Sequence, residues 1–192
     1  MIDKKHITGI ILAGGQSQRM GTDKGLILWN NMPFVQHIIN ALEPLTSEII
    51  IVSNTKEYDA FGLKRIEDAI ENAGPVAGIY SGLKASKTIY NLVLSCDIPL
   101  ISTNILKQLI TSVEDDVDIV QIESQGQTMP LIALYKKQCE TIFYKLLLED
   151  ERRLRYAVNT CNVKTIILDK SLNANTANIN TPEQLKQINN DH

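Results

Sequence analysis

A glycine-rich segment with a basic end follows the first apolar stretch of the chain. It reads Leu12-Ala13-Gly14-Gly15-Gln16-Ser17-Gln18-Arg19-Met20-Gly21-Thr22-Asp23-Lys24. Small residues let backbone N–H groups approach phosphate oxygens closely, and an arginine and a lysine can neutralise phosphate charge. We therefore predict a phosphate-binding loop with Arg19 and Lys24 as its cations. A glycine pair alone would more often mark an ordinary strand-to-helix turn with solvated basic side chains.

Two familiar phosphate loops are excluded by the order of residues in this segment. The pattern G-x-x-x-x-G-K-S/T is absent, because Asp23 precedes Lys24 and Gly25 follows it. The pattern G-x-G-x-x-G is absent as well, because Gly14 and Gly15 are adjacent. The chemistry indicated is phosphate binding outside the two best-known nucleotide motifs.

An aspartate follows another apolar stretch, Asn91 to Ser95. Asp97 would share a sheet edge with the glycine-rich segment if the two strands are parallel. Mg²⁺ prefers oxygen ligands and is commonly held by one or two carboxylates together with substrate phosphates. Spacing alone leaves two roles open for Asp97, a magnesium ligand or the start of a turn before Pro99.

Polar residues near the end of the chain form a second-rank candidate. Asn178 and Asn180 alternate on a predicted extended segment, so both amide oxygens could lie near the metal. Turn and cap chemistry is the competing interpretation.

A further glycine-rich segment contains Gly74, Pro75 and Gly78. We expect a tight loop at the start of a helix from Ile79 to Ala85, where glycine would admit a flat base close to the backbone. A plain helix entry is the alternative.

Short apolar runs alternate with helical patterns, which predicts a parallel sheet covered by helices on both faces. The predicted strands are Thr8 to Leu12, Glu48 to Val52, Asn91 to Ser95, Asp118 to Ile122, Leu131 to Tyr135 and Val163 to Leu168. A crossover helix is expected after Pro33, and another from Asn104 to Ser112. The last helix should begin at a capping box formed by Thr181 and Gln184.

Composition bounds the class of protein. The 192 residues suit one domain over 1–192, with no linker or repeat, and the net charge of −3 does not favour a nucleic-acid partner. Three widely separated cysteines fit a reducing, cytoplasmic compartment rather than a disulfide framework or a zinc site. The first residues are too polar and the apolar stretch after them too short for a signal peptide or membrane span.

The glycine-rich segment closely resembles the signature of nucleotidyltransferases that activate sugars and cofactors, and most of all the molybdenum cofactor guanylyltransferases. Further matches occur in family order along nearly the whole chain. They are Ile66-Glu67-Asp68, Gly74-Pro75-Val76-Ala77-Gly78, Cys96-Asp97 with Pro99, Pro130 to Leu134, and Asn178-Ile179-Asn180-Thr181-Pro182-Glu183.

This resemblance implies a Rossmann-like, doubly wound, mostly parallel α/β fold of the nucleotide-diphospho-sugar transferase type. It implies transfer of GMP from GTP to molybdopterin, with Mg²⁺ on Asp97 and release of pyrophosphate. Proteins that deliver the molybdenum cofactor would be partners. The implied catalytic residues are Arg19, Lys24 and Asp97. The implied nucleotide- and metal-binding residues are Leu12, Ala13, Gly14, Gly15, Lys24, Asn54, Asp68, Gly78 and Asp97.

Alternatives from two classes remain open at the level of sequence. A sister enzyme would use CTP or activate a sugar phosphate, and a regulator would bind nucleotide without chemistry. The run Glu151-Arg152-Arg153 also looks like a family element that would meet the phosphate or pterin of the acceptor, although such a charge cluster is more often a solvated face.

Overall fold

The computed structural model describes residues 2–14, 23–70 and 73–190. Across these ranges the chain forms a seven-stranded sheet, a two-stranded hairpin and helices on both faces of the larger sheet. The strands are β1 Ile7–Leu12, β2 Leu28–Trp29, β3 Met32–Pro33, β4 Glu48–Val52, β5 Lys64–Ile66, β6 Tyr90–Ser95, β7 Ile119–Ser124, β8 Gln127–Lys136 and β9 Val163–Ile167. The helices are α1 Phe34–Leu42, α2 Gly74–Ala85, α3 Thr103–Thr111, α4 Cys139–Leu148, α5 Leu154–Asn159 and α6 Pro182–Asn190.

The large sheet has the strand order β5-β4-β1-β6-β8-β7-β9. Every neighbouring pair is parallel except the two made by β8, which runs antiparallel to β6 and to β7. The exception arises because β7 and β8 are joined by Gln125 and Gly126, both with positive φ (54° and 75°), and a two-residue turn can only reverse the chain. The predicted α/β class and mostly parallel sheet are confirmed.

Successive strand residues pack into different cores, as the two-residue period of a strand requires. On β1, Ile11 joins a cluster with helices α1 and α3, whereas Ile10 joins a cluster with α2, α4 and α5. On β6, Leu92 and Leu94 face the first cluster and Val93 the second. Because both faces are covered, the central strands β1, β4 and β6 are mostly apolar, which is what made them recognisable in the sequence.

The capping box predicted for the last helix is confirmed. The Gln184 N–H donates to Thr181 Oγ1 over 3.2 Å, and the Thr181 N–H donates to Gln184 Oε1 over 3.1 Å. The crossover helix α1 and the helix after Ser102 are also confirmed. Pro33, however, lies in extended conformation just before α1 rather than inside its first turn.

The prediction of a loop that extends from Gly74 through Gly78 is wrong. Helix α2 begins at Gly74, so Gly78 lies inside it. Pro75 occupies the first turn, where its fixed φ and missing N–H favour a helical start. The left-handed φ of 67° at Gly74 lets the chain enter the helix there, five residues earlier than expected.

The strand order reverses direction beside β1, since β4 and β5 lie on one side of it and β6 on the other. Doubly wound sheets bind ligands at such a switch point, outside the carboxyl ends of the strands. The described ranges contain no helix with the length and apolar character needed to cross a bilayer.

Candidate active site

The carboxyl ends of β1 and β6 bring the glycine-rich segment and Asp97 to one sheet edge. Leu12 pairs with Ser95 in parallel register, and the Cys96 N–H donates to the Leu12 carbonyl over 3.1 Å. No heavy atom lies within 4 Å of where a Cβ on Gly14 would stand, so the backbone there faces open space. Gly15 and Arg19 lie outside the described residues.

Hydrogen bonds fix both the backbone and the side chain of Asp97. The Ser95 hydroxyl donates to Asp97 Oδ1 over 2.6 Å, and the Ile179 N–H donates to the Asp97 carbonyl over 2.8 Å. The side chain is only 13% exposed. Asp97 Oδ1 is therefore engaged within the protein, and Oδ2 is the oxygen directed at the site.

Lys24 lies between Asp97 and Asn180, which belongs to the segment just before α6. Its Nζ is 3.5 Å from Asp97 Oδ2 and also donates to Asn180 Oδ1. Two oxygens from distant segments thus converge on one cation. Asn178, the other predicted candidate, has an exposed side chain and lies next to the buried Ile179.

A small apolar cluster explains why Lys24 and Asn180 meet. Its buried members are Ile27, Phe34, Ile179 and Ile188. Ile27 follows the short 3₁₀ turn Lys24–Leu26, and Ile179 precedes Asn180 by one residue. Packing of these two isoleucines in one cluster holds the lysine turn against the segment that leads into α6.

A polar network behind Lys24 holds its backbone. The Asp23 carboxylate accepts a hydrogen bond from the Gly25 N–H over 3.1 Å and one from the Tyr58 hydroxyl. Its other oxygen is 3.4 Å from Thr55 Oγ1. Neither Thr55 nor Tyr58 could be predicted from the sequence, because 32 and 35 residues separate them from Asp23.

A second polar group lies at the ends of β4 and β5. Asn54 Oδ1 accepts a hydrogen bond from the Asp68 N–H over 3.1 Å. Asp68 Oδ1 is buried with no hydrogen-bond partner among the described residues, and a Cβ on Gly78 would lie 3.5 Å from it and 3.3 Å from Leu12 Cδ2. Desolvation by burial raises the pKa of Asp68 above its ordinary value. The structure thus brings together Leu12, Asn54 and Asp68, which lie at or just beyond the ends of β1, β4 and β5, with Gly78 of α2.

The cysteine beside Asp97 is not suited to nucleophilic attack. Cys96 is buried, and burial together with the nearby carboxylates of Asp97 and Asp23 raises its pKa to about 12. The thiol therefore stays protonated at neutral pH, and the thiolate is the nucleophilic form.

The charged run at 151–153 makes local ion pairs. The Arg153 guanidinium donates to the Glu151 carboxylate, and Arg152 lies 2.8 Å from Asp150. Within the described ranges, no group of three or more histidine, cysteine, aspartate or glutamate residues could hold a metal ion.

Sequence comparisons match this chain to one family of proteins. The profile of the MobA-like NTP transferase domain matches residues 9–162. A probable molybdenum cofactor guanylyltransferase of Flavobacterium johnsoniae is 37% identical over 183 residues, which cover 95% of this chain and 96% of that protein. A molybdenum cofactor guanylyltransferase of Vibrio campbellii is 33% identical over 191 residues, covering 98% of this chain and 97% of its own length.

Solved structures agree at the level of the fold. A molybdopterin-guanine dinucleotide biosynthesis protein A from Archaeoglobus fulgidus superposes with a TM-score of 0.81 at 20% identity, covering 96% of this chain and 97% of that one. A 4-diphosphocytidyl-2C-methyl-D-erythritol synthase from Anaerococcus prevotii superposes with a TM-score of 0.75 at 14% identity, covering 98% and 96%. Two differently named proteins thus share this architecture.

Proposed function

Because the chain belongs to the MobA-like NTP transferase family and is a nucleotidyltransferase, we propose that it transfers GMP from GTP to molybdopterin, the organic part of the molybdenum cofactor. The observation that carries this proposal is the convergence of Lys24, Asp97 and Asn180 at the switch point of the sheet. The names of the full-length relatives support the choice of GTP and molybdopterin.

The reaction joins two phosphates. An oxygen of the molybdopterin phosphate attacks the α-phosphorus of GTP in line, one P–O bond forms, and the bond to the β-phosphate oxygen breaks. Pyrophosphate leaves with the electron pair, and the attacking oxygen needs no base because it is already anionic. The protein's task is to hold two anions together and offset their charge. Lys24 and the Gly14 backbone serve that task at the described edge, together with Gly15 and Arg19.

The oxygens around Lys24 also suit Mg²⁺. Asp97 Oδ2 and Asn180 Oδ1 already converge on a cation, the lysine ammonium, and both are the hard oxygen donors that magnesium selects. A bound Mg²⁺ would supply positive charge to the triphosphate. Asp97 would hold it as the protein's carboxylate ligand, Asn180 would add an amide oxygen, and Lys24 would turn to the phosphates.

The group around Asp68 suits the nucleoside. Asp68 Oδ1 is buried, so a ligand would meet Oδ2, and the N–H donors of a guanine base or the hydroxyls of a ribose can both donate to it. Gly78 has no side chain to fill the space between α2, Leu12 and Asp68. Asn54 fixes the Asp68 backbone through its hydrogen bond to the Asp68 N–H. A donor on the ligand would also offset the desolvation of this carboxylate.

A pyrophosphate-release screen tests the reaction. GTP, CTP, ATP and UTP are each supplied with Mg²⁺, with and without molybdopterin, and we expect release only when GTP and molybdopterin are both present. Release with CTP instead would identify a sister enzyme. Tight GTP binding without pyrophosphate release would identify a regulator, and either result contradicts the proposal. As part of the same proposal, the protein acts in the cytoplasm, and proteins that deliver the molybdenum cofactor are its partners.

Replacement of Lys24 tests the site. Lys24→Ala should lower kcat/KM about 100-fold or more, the usual loss on removal of one electrostatic stabiliser. The control is Lys64→Ala, since Lys64 also pairs with a carboxylate, Glu48 at 3.7 Å, but lies on an edge strand. Full activity of Lys24→Ala would remove Lys24 from the mechanism.

A further inference from the structure

We infer that Tyr58 and Thr55 are positioning residues that act through Asp23 to hold the turn that carries Lys24. The inference deepens the proposed function and rests on it, since it assigns a support to the lysine placed at the triphosphate. Both side chains donate hydrogen bonds to Asp23, the residue before Lys24.

Asp23 is the residue through which both side chains act on the turn. It caps the 3₁₀ turn Lys24–Leu26 from an extended conformation, with its carboxylate accepting the Gly25 N–H over 3.1 Å and its carbonyl accepting the Leu26 N–H over 3.0 Å. The direction in which Lys24 leaves the backbone is therefore set by where the Asp23 carboxylate is held.

Tyr58 holds that carboxylate from the protein interior. Its side chain is fully buried, and a buried tyrosine hydroxyl needs a hydrogen-bond partner, which here is Asp23 Oδ1. A Cβ on Gly25 would lie 2.3 Å from the Tyr58 hydroxyl oxygen, so the phenol also presses directly on the turn. Only glycine at position 25 permits this approach.

The charges explain why such a support is useful. Asp23 and Lys24 are adjacent in sequence, and a free carboxylate beside the ammonium would compete with the phosphates for it. Donors from Tyr58, Gly25 and Thr55 engage both Asp23 oxygens, which leaves Lys24 to Asp97 and Asn180. Burial raises the pKa of Tyr58 well above its ordinary value, so its hydroxyl remains a donor across the working pH range.

A double-mutant cycle distinguishes positioning from general stability. Tyr58→Phe removes only the hydroxyl and should lower kcat/KM about 10-fold, a coupling typical of residues in one network. In a Lys24→Ala background the same change should cost less than about 2-fold, because its effect passes through Lys24. Equal losses in both backgrounds would overturn the inference.

Tyr135→Phe is the matched control. Tyr135 is as buried as Tyr58, and its hydroxyl donates to the Pro130 carbonyl over 2.8 Å, in the core cluster on the other face of the sheet. This variant should keep wild-type kcat/KM. If Tyr58→Phe fails to fold, Thr55→Val removes the weaker donor and should produce a smaller loss that also disappears without Lys24.

Amide hydrogen exchange gives a readout that needs no activity. In Tyr58→Phe the Gly25 and Leu26 amides should exchange faster than in the wild type, whereas the Ile105 amide, capped by Ser102, should not change. If the wild type turns over no triphosphate, the proposed function fails, and the exchange rates still decide the positioning role. Unchanged exchange at Gly25 would refute it.

Discussion

Asp68 carries a carboxylate whose charged form is disfavoured by its surroundings. Its pKa in the folded chain is raised above the ordinary value of 3.8 by desolvation. As the pH rises above 3.8, the unfolded chain ionises first, so the folded state binds more protons and becomes less stable. The contribution of Asp68 to stability therefore falls between pH 3.8 and its raised pKa in the folded chain, and it stays unfavourable at neutral pH.

Asp68→Asn should consequently stabilise the free protein at pH 7, and the gain should vanish below about pH 3.8. The same variant should bind nucleotide more weakly, because the acceptor of the ligand's donors has lost its charge. Denaturant unfolding at several pH values, with nucleotide titrations alongside, measures both effects. A variant that is less stable than the wild type at pH 7 would contradict the assignment.

Asp169 provides the control of opposite sign. Hydrogen bonds from the Ser171 hydroxyl and N–H lower its pKa. The folded state then binds fewer protons than the unfolded chain around its ordinary pKa, so its contribution is present above that value and is lost as the pH falls through the lowered one. Asp169→Asn should therefore destabilise at pH 7, in contrast to Asp68→Asn.

Ser95 should tune the metal affinity of Asp97. Its hydroxyl holds Asp97 Oδ1 at 2.6 Å, and loss of a partner that orients a metal ligand typically costs 10- to 100-fold in affinity. We expect Ser95→Ala to raise the Mg²⁺ concentration for half-maximal activity about 10-fold. The control is Ser86→Ala, which replaces a buried serine at the C-terminal end of α2, before β6 begins, and which should not change the Mg²⁺ requirement. An unchanged Mg²⁺ requirement in Ser95→Ala would exclude this role.

At the residue scale, the sequence could predict which groups meet at the carboxyl edge of the sheet but not the groups behind them. Lys24 and Asp97 were identifiable because each follows an apolar strand within a distinctive motif. Tyr58 was not, since nothing local connects it to Asp23. Ser95 stands two residues before Asp97, a spacing at which a short side chain can bond its neighbour, and it could have been found.

At the scale of elements, two glycines of α2 face β1 and differ in how closely the strand approaches them. A Cβ on Gly82 would lie 2.5 Å from Ile10 Cγ2, whereas one on Gly78 would lie 3.3 Å from Leu12 Cδ2. Both positions have ordinary helical geometry, so alanine gains about 1 kcal/mol of helix propensity at either one. The difference in stability between the two alanine variants therefore measures the cost of the closer contact with Ile10.

Gly82→Ala should destabilise the fold by about 1–3 kcal/mol, because Ile10 must leave its rotamer or the helix must move away from the sheet. Gly78→Ala should be close to neutral in stability and should instead raise the KM for nucleotide, since it displaces Leu12 and crowds Asp68. Thermal unfolding and steady-state kinetics of both variants measure this. Equal stability of the two would show that α2 can shift without cost.

Element prediction succeeded where burial left an unambiguous pattern. The central strands are apolar on both faces and were all located, whereas β5 is three residues long and begins with Lys64 and Arg65. Helix α4 was missed because Tyr144 and Leu148 are apolar yet exposed, which obscures the helical period set by its buried residues. The start of α2 was placed late because Gly74 and Pro75 suit a loop as well as a first turn.

At the scale of the whole molecule, the sheet topology assembles the site from segments far apart in the chain. The ends of β1 and β6, the turn at Lys24 and the segment before α6 meet only because the strand order changes direction beside β1. A ligand that binds all of them would link segments that are far apart in the chain. Nucleotide binding should therefore appear in global stability.

Mg²⁺ and GTP together should raise the unfolding temperature. A ligand at 100 times its Kd stabilises the folded state by about 2.7 kcal/mol, and each kcal/mol is worth roughly 2–4 °C for a chain of this length. GTP with EDTA should give a smaller shift, since the triphosphate then lacks the cation that Asp97 would hold. Differential scanning calorimetry at several nucleotide concentrations measures the increments.

Asp97→Asn should lose the part of that shift which depends on Mg²⁺ while keeping the part due to GTP alone, because the amide retains the shape but not the charge of the ligand. Asp115→Asn, which removes an exposed carboxylate from the loop before β7, should behave like the wild type. A Mg²⁺-dependent increment that survives in Asp97→Asn would place the cation elsewhere. The convergence of Asp97 and Asn180 on Lys24 would then serve only to hold the lysine.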